Sequence, residues 1–250
     1  MELKEFFEQN PRVAIAFSGG VDSSYLCYAA KKYARQCRAY YVKGEFQPEF
    51  EYRDAVKLAS IVGIELRVIN ASVLSDENVS SNPSDRCYHC KNMVFSVITD
   101  AAKEDGFDVI IDGTNASDDP SDRPGVRALK ERGVLSPLRD CGLTKNMIRE
   151  LSKEAGLFTW NKPSYACLAT RIPTGERITP EKLSVTEEAE GILMEMGFSG
   201  FRVRYEAGRA RIELPGEQRE RFMEKADEIN TLLRRYYKSV SLDLEARHGE

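Results

Sequence analysis

The chain reads as an α/β protein, with an N-terminal parallel-sheet domain over residues 1–178 and a small C-terminal α+β domain over 179–250. Three observations predict this. Strand and helix signals alternate through the first two-thirds, the pattern of a parallel sheet joined by crossover helices. A loop of glycines and serines, "AFSGGVDSS", stands between the first strand and the first of these helices. After Pro180 the alternation gives way to a helix, a hairpin, a further helical stretch and a last strand.

Val13–Phe17 is an apolar run short enough for a buried strand, and helical spacing follows from about Ser23 to Ala34. "RAYYV" (Arg38–Val42) makes a second strand. Glu49–Val62 has helical periodicity and stops at Gly63, a C-cap glycine. "ELRVI" (Glu65–Ile69) and "VII" (Val109–Ile111) supply the third and fourth strands. Thr144 caps a helix whose apolar stripe is Met147, Ile148 and Leu151 and which ends at Gly156. The proline-marked loop "TWNKPSYACLATRIPTGERITP" then leads into a helix over about Glu181–Met196. "FRVRYE" and "ARIEL" flank a turn at Ala207-Gly208-Arg209, and "SVSLDL" is the last strand.

The glycine loop has the chemistry of a phosphate cradle. Gly19 and Gly20 let the backbone turn so that N–H groups face outward at the start of a helix, the positive end of its dipole. Ser18, Ser23 and Ser24 add hydroxyl donors, and Asp22 can hold a magnesium ion or orient the loop. An ordinary strand–turn–helix connection with Asp22 or Ser23 as cap is the plainer alternative. No lysine follows the glycines, so a Walker-type grip on the outermost phosphate is not expected. Ligands of parallel sheets sit beyond the carboxyl ends of the strands. The fourth-strand loop "DGTN", with Gly113, Thr114 and Asn115, would open there beside the first.

A formal charge of −4, with acids and bases interspersed, fits a soluble enzyme acting on a small molecule better than a nucleic-acid-coating protein. Met1–Asn10 is polar and acidic and no long apolar span follows, so a cytoplasmic protein without a membrane anchor is expected, with a homo-oligomer as its form. Six cysteines in such a setting point to thiol or metal chemistry rather than a disulfide framework.

Cys87 and Cys90 form C-x-x-C at the start of a helix, and Cys167 lies in the long loop. The spacing alone leaves a redox dithiol, part of a zinc site and an iron–sulfur ligand pair open, beside merely buried thiols. His89 sits between the two cysteines, where its side chain points elsewhere. Cys27 and Cys37 are in core-like surroundings and Cys141 has no partner pattern. Lys162, Arg171 and Arg177 give Cys167 a basic sequence neighbourhood suited to a phosphorylated substrate; a solvated loop would look the same. Arg123 is a further candidate for pyrophosphate. Arg202 and Arg204 alternate along one strand face, where they could grip a substrate phosphate.

Ser18–Ser23 resembles the PP-loop of the ATP pyrophosphatases, and with it the adenine nucleotide alpha-hydrolase-like fold. The succession "SGGVDSS", "DGTN", "DRPGVRAL", "SPLRD", "LTKNMIREL", "GLFTWNKPSYACLATRIPTGERIT" and "LDLEARHG" is similar to the LarE family over nearly the whole chain. That family comprises ATP-dependent sulfur transferases that build the pyridinium dithiocarboxylate nucleotide of the nickel-pincer cofactor. The resemblance implies AMP transfer from ATP, with Mg2+, to a carboxylate of a nucleotide substrate, then sulfur insertion to give a thiocarboxylate. One branch sacrifices the cysteine matching Cys167, leaving dehydroalanine. Another carries three cysteines that bind a 4Fe–4S cluster and pass on a sulfide from an external donor. Cys87, Cys90 and Cys167 make this chain resemble the second branch, with Cys167, Asp22 and Arg171 expected as catalytic residues. Glu190 and Glu213 match the family's metal-binding carboxylates, although exposed strand and helix charges would account equally well for them and for Arg202 and Arg204. Thr170 stands where serine is common and Thr174 where an aromatic is common. The competing readings are a PP-loop tRNA thiolase and a non-catalytic ATP-binding module with structural zinc.

Overall fold

The computed structural model describes residues 2–118 and 124–247; Arg123 lies outside them. Contacts divide the chain into two compact units, Met1–Val73 with Asp85–Lys162, and Leu74–Ser84 with Pro163–Glu250.

The first unit is an α/β layer structure. Its elements are α1 (Leu3–Gln9), β1 (Arg12–Ala16), α2 (Val21–Tyr33), β2 (Gln36–Lys43), α3 (Glu49–Val62) and β3 (Leu66–Asn70). After α4 (Glu77–Ser80), which belongs to the second unit, come α5 (Arg86–Glu104), β4 (Ile110–Asp112), α6 (Pro124–Glu131), α7 (Pro137–Asp140) and α8 (Lys145–Glu154). The four strands run parallel in the order β3-β2-β1-β4. Val13, Ala14 and Ile15 are fully buried because β1 is central and covered on both faces. Ile15 packs with Leu26, Leu58 and Ile148, and Ala14 with Tyr40, Phe95 and Phe107. The chain leaves β1 on opposite sides to reach β2 and β4, so the crevice beyond β1 and β4 is the switch point of the sheet.

One polar knot ties β2, β3 and the end of α5. Asp105 sits 2.6 Å from Arg38 and 3.0 Å from Arg67, and accepts a hydrogen bond of 2.9 Å from the Tyr40 hydroxyl. Arg38 first and Arg67 second hold its carboxyl far below the usual range. A depressed folded-state value stabilises the fold above the unfolded value of 3.8 and loses that contribution as pH falls below it. Asp105→Asn should therefore cost about 1 kcal/mol at neutral pH, and the gap to the parent chain in urea unfolding should close as the buffer is taken below pH ~4.

The second unit holds α4, α9 (Pro180–Glu195), β5 (Arg202–Glu206), β6 (Arg209–Glu213), α10 (Arg219–Glu224), α11 (Ala226–Leu233) and β7 (Val240–Leu242). β5 and β6 are the antiparallel hairpin, turning at Ala207 and Gly208, both with positive φ. β7 returns parallel to β6, which the intervening α10 and α11 make possible as a crossover. Leu193, Val203, Ile212, Leu214 and Leu233 centre its core.

The division differs from a boundary at residue 178, for a hydrogen-bonding reason. Asn82 donates through Nδ2 to the carbonyls of Ile172 and Pro173, and its own carbonyl accepts from Gly175. Ile178 donates to the Ser80 carbonyl, and Arg177 pairs with Glu77. The segments 74–84 and 163–178 thus satisfy each other's backbones. Among the described residues no helix is long and apolar enough to cross a membrane.

Candidate functional site

In the first unit the glycine loop follows β1 directly. Gly19 has φ +77°, and a Cβ there would stand 3.2 Å from the Glu51 carbonyl. Conformation and close approach both demand glycine. Gly20 is the N-cap of α2 and contributes no side chain, so Asp22 and Ser23 are not the helix caps. Ser23 Oγ lies 3.0 Å from Ser18 Oγ, accepts from the Ser18 amide and donates to the Gly20 carbonyl. Its hydroxyl closes the loop on itself. Ser24 is fully buried. The expectation that both serines offer hydroxyls to a ligand is corrected: Ser23 is spent on the loop and Ser24 faces inward.

The β4 loop meets this one edge to edge. A Cβ on Gly113 would stand 2.8 Å from the Ser23 amide nitrogen, so the two loops approach through a position only glycine fits. Gly113→Ala should destabilise the chain by about 1–3 kcal/mol through overpacking and weaken ATP binding, measured by thermal unfolding and titration calorimetry. Asp112, buried at the end of β4, accepts from Thr114 Oγ1 at 2.5 Å and Ser136 Oγ at 2.7 Å. The Thr114 hydroxyl therefore shapes the loop. Asn115 is buried too, and its Oδ1 accepts from the Ser117 amide.

Asp22 is the charged centre of this crevice. Burial pushes its carboxyl up, opposed by Lys145, whose Nζ stands 2.6 Å from Oδ2. Oδ1 is buried without a partner, an acceptor placed for a hydrated Mg2+ or a ligand hydroxyl. Lys145 was absent from the sequence reading. Its signal was a misplaced cation: it opens α8 directly after the Thr144 cap, at the helix end that disfavours positive charge.

In the second unit, Cys167 starts the 3-10 turn Leu168–Arg171. Arg171 and Glu190 form an ion pair that is 0% and 1% exposed. Glu190 Oε1 accepts from Arg171 Nε at 2.7 Å and the Val203 amide at 2.9 Å; Oε2 accepts from Arg171 Nη2 at 2.9 Å and the Tyr165 hydroxyl at 2.5 Å. The remaining Arg171 nitrogen donates to the Ala166 carbonyl and Thr170 Oγ1, and Thr170 Oγ1 donates in turn to the Cys167 carbonyl. Arg204 donates to the Thr170 carbonyl at 2.6 Å and is held in a fork by Glu213.

Four expected ligand contacts change meaning here. Glu190 has its acceptor positions filled by four donors and is not placed as a metal ligand. Glu213 is shared by Arg204 and Arg211. Burial pushes its carboxyl up, but the two arginines outweigh this and leave it below the usual range. Arg204 is spent on Glu213 and the Thr170 carbonyl, and Arg202 is buried with its guanidinium over the Tyr165 ring, so the pair does not present a phosphate grip. Arg171, expected as catalytic, is fully enclosed and bonds Glu190, the Ala166 carbonyl and Thr170 Oγ1 beside Cys167. The basic neighbourhood is also neutralised: Lys162 lies 2.7 Å from Asp54 in the first unit, and Arg177 pairs with Glu77.

Cys87 is exposed, while Cys90 and Cys167 are half-buried; none of the three is in a disulfide. Cys87 and Cys90 share one face of the first turn of α5. They belong to the first unit and Cys167 to the second. Among the described residues no three His, Cys, Asp or Glu side chains are grouped to hold a metal ion. Burial raises Cys27, Cys37 and Cys141 above the usual thiol range, which keeps them protonated and unreactive.

No family model matches the chain. Relatives do. An uncharacterized protein of Synechocystis sp. is 37% identical over 248 residues, 97% of this chain and 92% of that protein. The pyridinium-3,5-bisthiocarboxylic acid mononucleotide synthase of Lactiplantibacillus plantarum is 32% identical over 236 residues, 93% of this chain and 86% of that one. A tRNA-specific 2-thiouridylase of Thermotoga petrophila is 26% identical, covering 60% of this chain and 54% of its own length.

Proposed function

Because the chain belongs to the family of the pyridinium-3,5-bisthiocarboxylic acid mononucleotide synthase, the LarE family, we propose that it adenylates a carboxylate of a pyridinium mononucleotide with ATP and converts it to a thiocarboxylate. We place this activity in the cytoplasm, in a homo-oligomer.

The observation that carries the reading is the crevice beyond β1 and β4. Gly19 and Gly20 free backbone amides at the start of α2, Gly113 brings the second loop against them, and Lys145 brings a cation to the same crevice, paired with Asp22. A carboxylate is a poor electrophile, and AMP transfer gives it a leaving group. Backbone amides at the start of α2 would stabilise the departing pyrophosphate, Asp22 Oδ1 would accept Mg2+, and Lys145 would hold Asp22 in place through Oδ2.

For the sulfur step we propose that Cys87, Cys90 and Cys167 ligate a 4Fe–4S cluster. Donor chemistry supports this: three cysteines outside any disulfide, none in a sealed core, with a fourth position left for sulfide. When bound, the cluster supplies a soft nucleophilic sulfur at neutral pH. The protein's part is to hold Cys167 still, through Arg171 and Arg204 on its loop. A tRNA thiolase shares much of this layout, and the 26% relatives favour it as the second reading.

The test is a substrate-dependent ATP assay under anaerobic conditions. AMP and pyrophosphate should appear and ADP should not; ADP as main product overturns the reading. Anaerobic protein should carry about four irons per chain, most of it lost in Cys87→Ala, Cys90→Ala or Cys167→Ala and kept in Cys27→Ala. Stoichiometric zinc instead would remove the cluster from the proposal. Thiolation of tRNA rather than of the mononucleotide would select the second reading.

A further inference from the structure

Arg86 is an odd residue to bury. It opens α5, where the helix dipole opposes a cation, and only 8% of its surface is exposed. Its guanidinium lies 6.0 Å from the centre of the Phe46 ring, within cation–π range. From there Nη2 donates to Cys87 Sγ at 3.6 Å, within range for an N–H···S bond.

The helix start around it is left open to an anion. Asp85, the N-cap, makes no side-chain cap bond; its carboxylate is turned to His89, 3.3 Å away. The first turn of this long helix thus carries two thiols on one face, no capping carboxylate, and a buried guanidinium on one sulfur. Outer hydrogen bonds of this kind orient a ligand atom and tune what it binds.

We propose that Arg86 is a positioning residue for Cys87, a buried N–H···S donor that fixes the sulfur's direction and offsets its negative charge when it ligates a thiophilic metal. The inference rests on the reading of Cys87 as a ligand, and extends it to a residue whose side chain never touches the metal.

The test uses the full-length metal-free chain and Cd2+ alone as a thiolate probe, followed by its sulfur-to-metal absorption band. Arg86→Met keeps the apolar stem and removes the donor; Arg86→Lys keeps a cation and loses the fork. Cd2+ affinity should fall about tenfold in Arg86→Met and by less in Arg86→Lys. In a Cys87→Ser background, Arg86→Met should cause no further loss, which a purely structural role would not predict. Where Arg86→Met does not fold, Arg86→Lys decides by the same cycle. Equal affinity with and without Arg86, or an equal loss in the Cys87→Ser background, overturns the proposal, and so does a parent chain that binds no Cd2+. A parent chain that binds Cd2+ in an Arg86-dependent way yet takes up no iron anaerobically upholds the proposal and removes only the cluster.

Discussion

Glu190→Ala should lower unfolding stability by about 3–5 kcal/mol. Arg171 is fully enclosed, and burial works against its charge, which the Glu190 pairing restores. Removing the carboxylate leaves that guanidinium uncompensated, and it also strips an acceptor from the Val203 amide and the Tyr165 hydroxyl. Glu190→Gln keeps the shape and should lose less. The double change Arg171→Met with Glu190→Leu removes both charges and should recover most of the stability. It should not recover sulfur transfer, because the Ala166 carbonyl and Thr170 hydroxyl would have lost their common donor. Urea unfolding of the four proteins beside the activity assay separates the two effects. A Glu190→Ala chain as stable as its parent, or a double variant with full activity, would show that the pair does not hold the Cys167 loop.

Much of the α/β frame was legible because its signals are local. Glu49–Val62 was read to the residue: its periodicity is helical, and Gly63 ends it at φ +70°. The strands fell within a residue or two, since each is a short β-branched or aromatic run between helices. Two loops meeting at the ends of β1 and β4 followed from the parallel order, and Gly113 marks the contact. The site's electrostatics were another matter. Lys145 meets Asp22 across 123 positions of sequence, and nothing local predicts such a pair. In the second unit the charged residues pair with one another. Arg202 and Arg204 do share a strand face, as alternation requires. The hairpin register, however, sets Arg204 opposite Arg211, and both arginines turn to Glu213, which neutralises the charge a phosphate would need. A run of arginines and glutamates cannot reveal from sequence whether it faces a ligand or itself.

Cys167→Ala should abolish sulfur transfer, by at least about a thousandfold, and leave AMP and pyrophosphate formation within a small factor of the parent. The two chemistries draw on different residues. On the proposed reading adenylation draws on the glycine loop, Gly113, Asp22 and Lys145, all in the first unit, whereas Cys167 belongs to the second. Its thiol is half-buried at the start of a short turn, and the bonds that fix the turn run through Arg171, Thr170 and Arg204, so Ala at 167 leaves them intact. Loss of both activities would mean that the cysteine supports the fold rather than the sulfur step. The parent chain then decides how Cys167 serves. A sacrificed cysteine allows one sulfur per chain and leaves a side chain lighter by about 34 Da, the mass of hydrogen sulfide, outside the ladder of reversible thiol oxidations. A cysteine that ligates a cluster cannot be spent, since its loss would dismantle the site. With an external sulfide source, product should exceed one sulfur per chain and mass spectrometry should find Cys167 unchanged. Dehydroalanine at position 167 after a single turnover would instead make the chain a single-use donor and leave Cys87 and Cys90 without a part in the reaction.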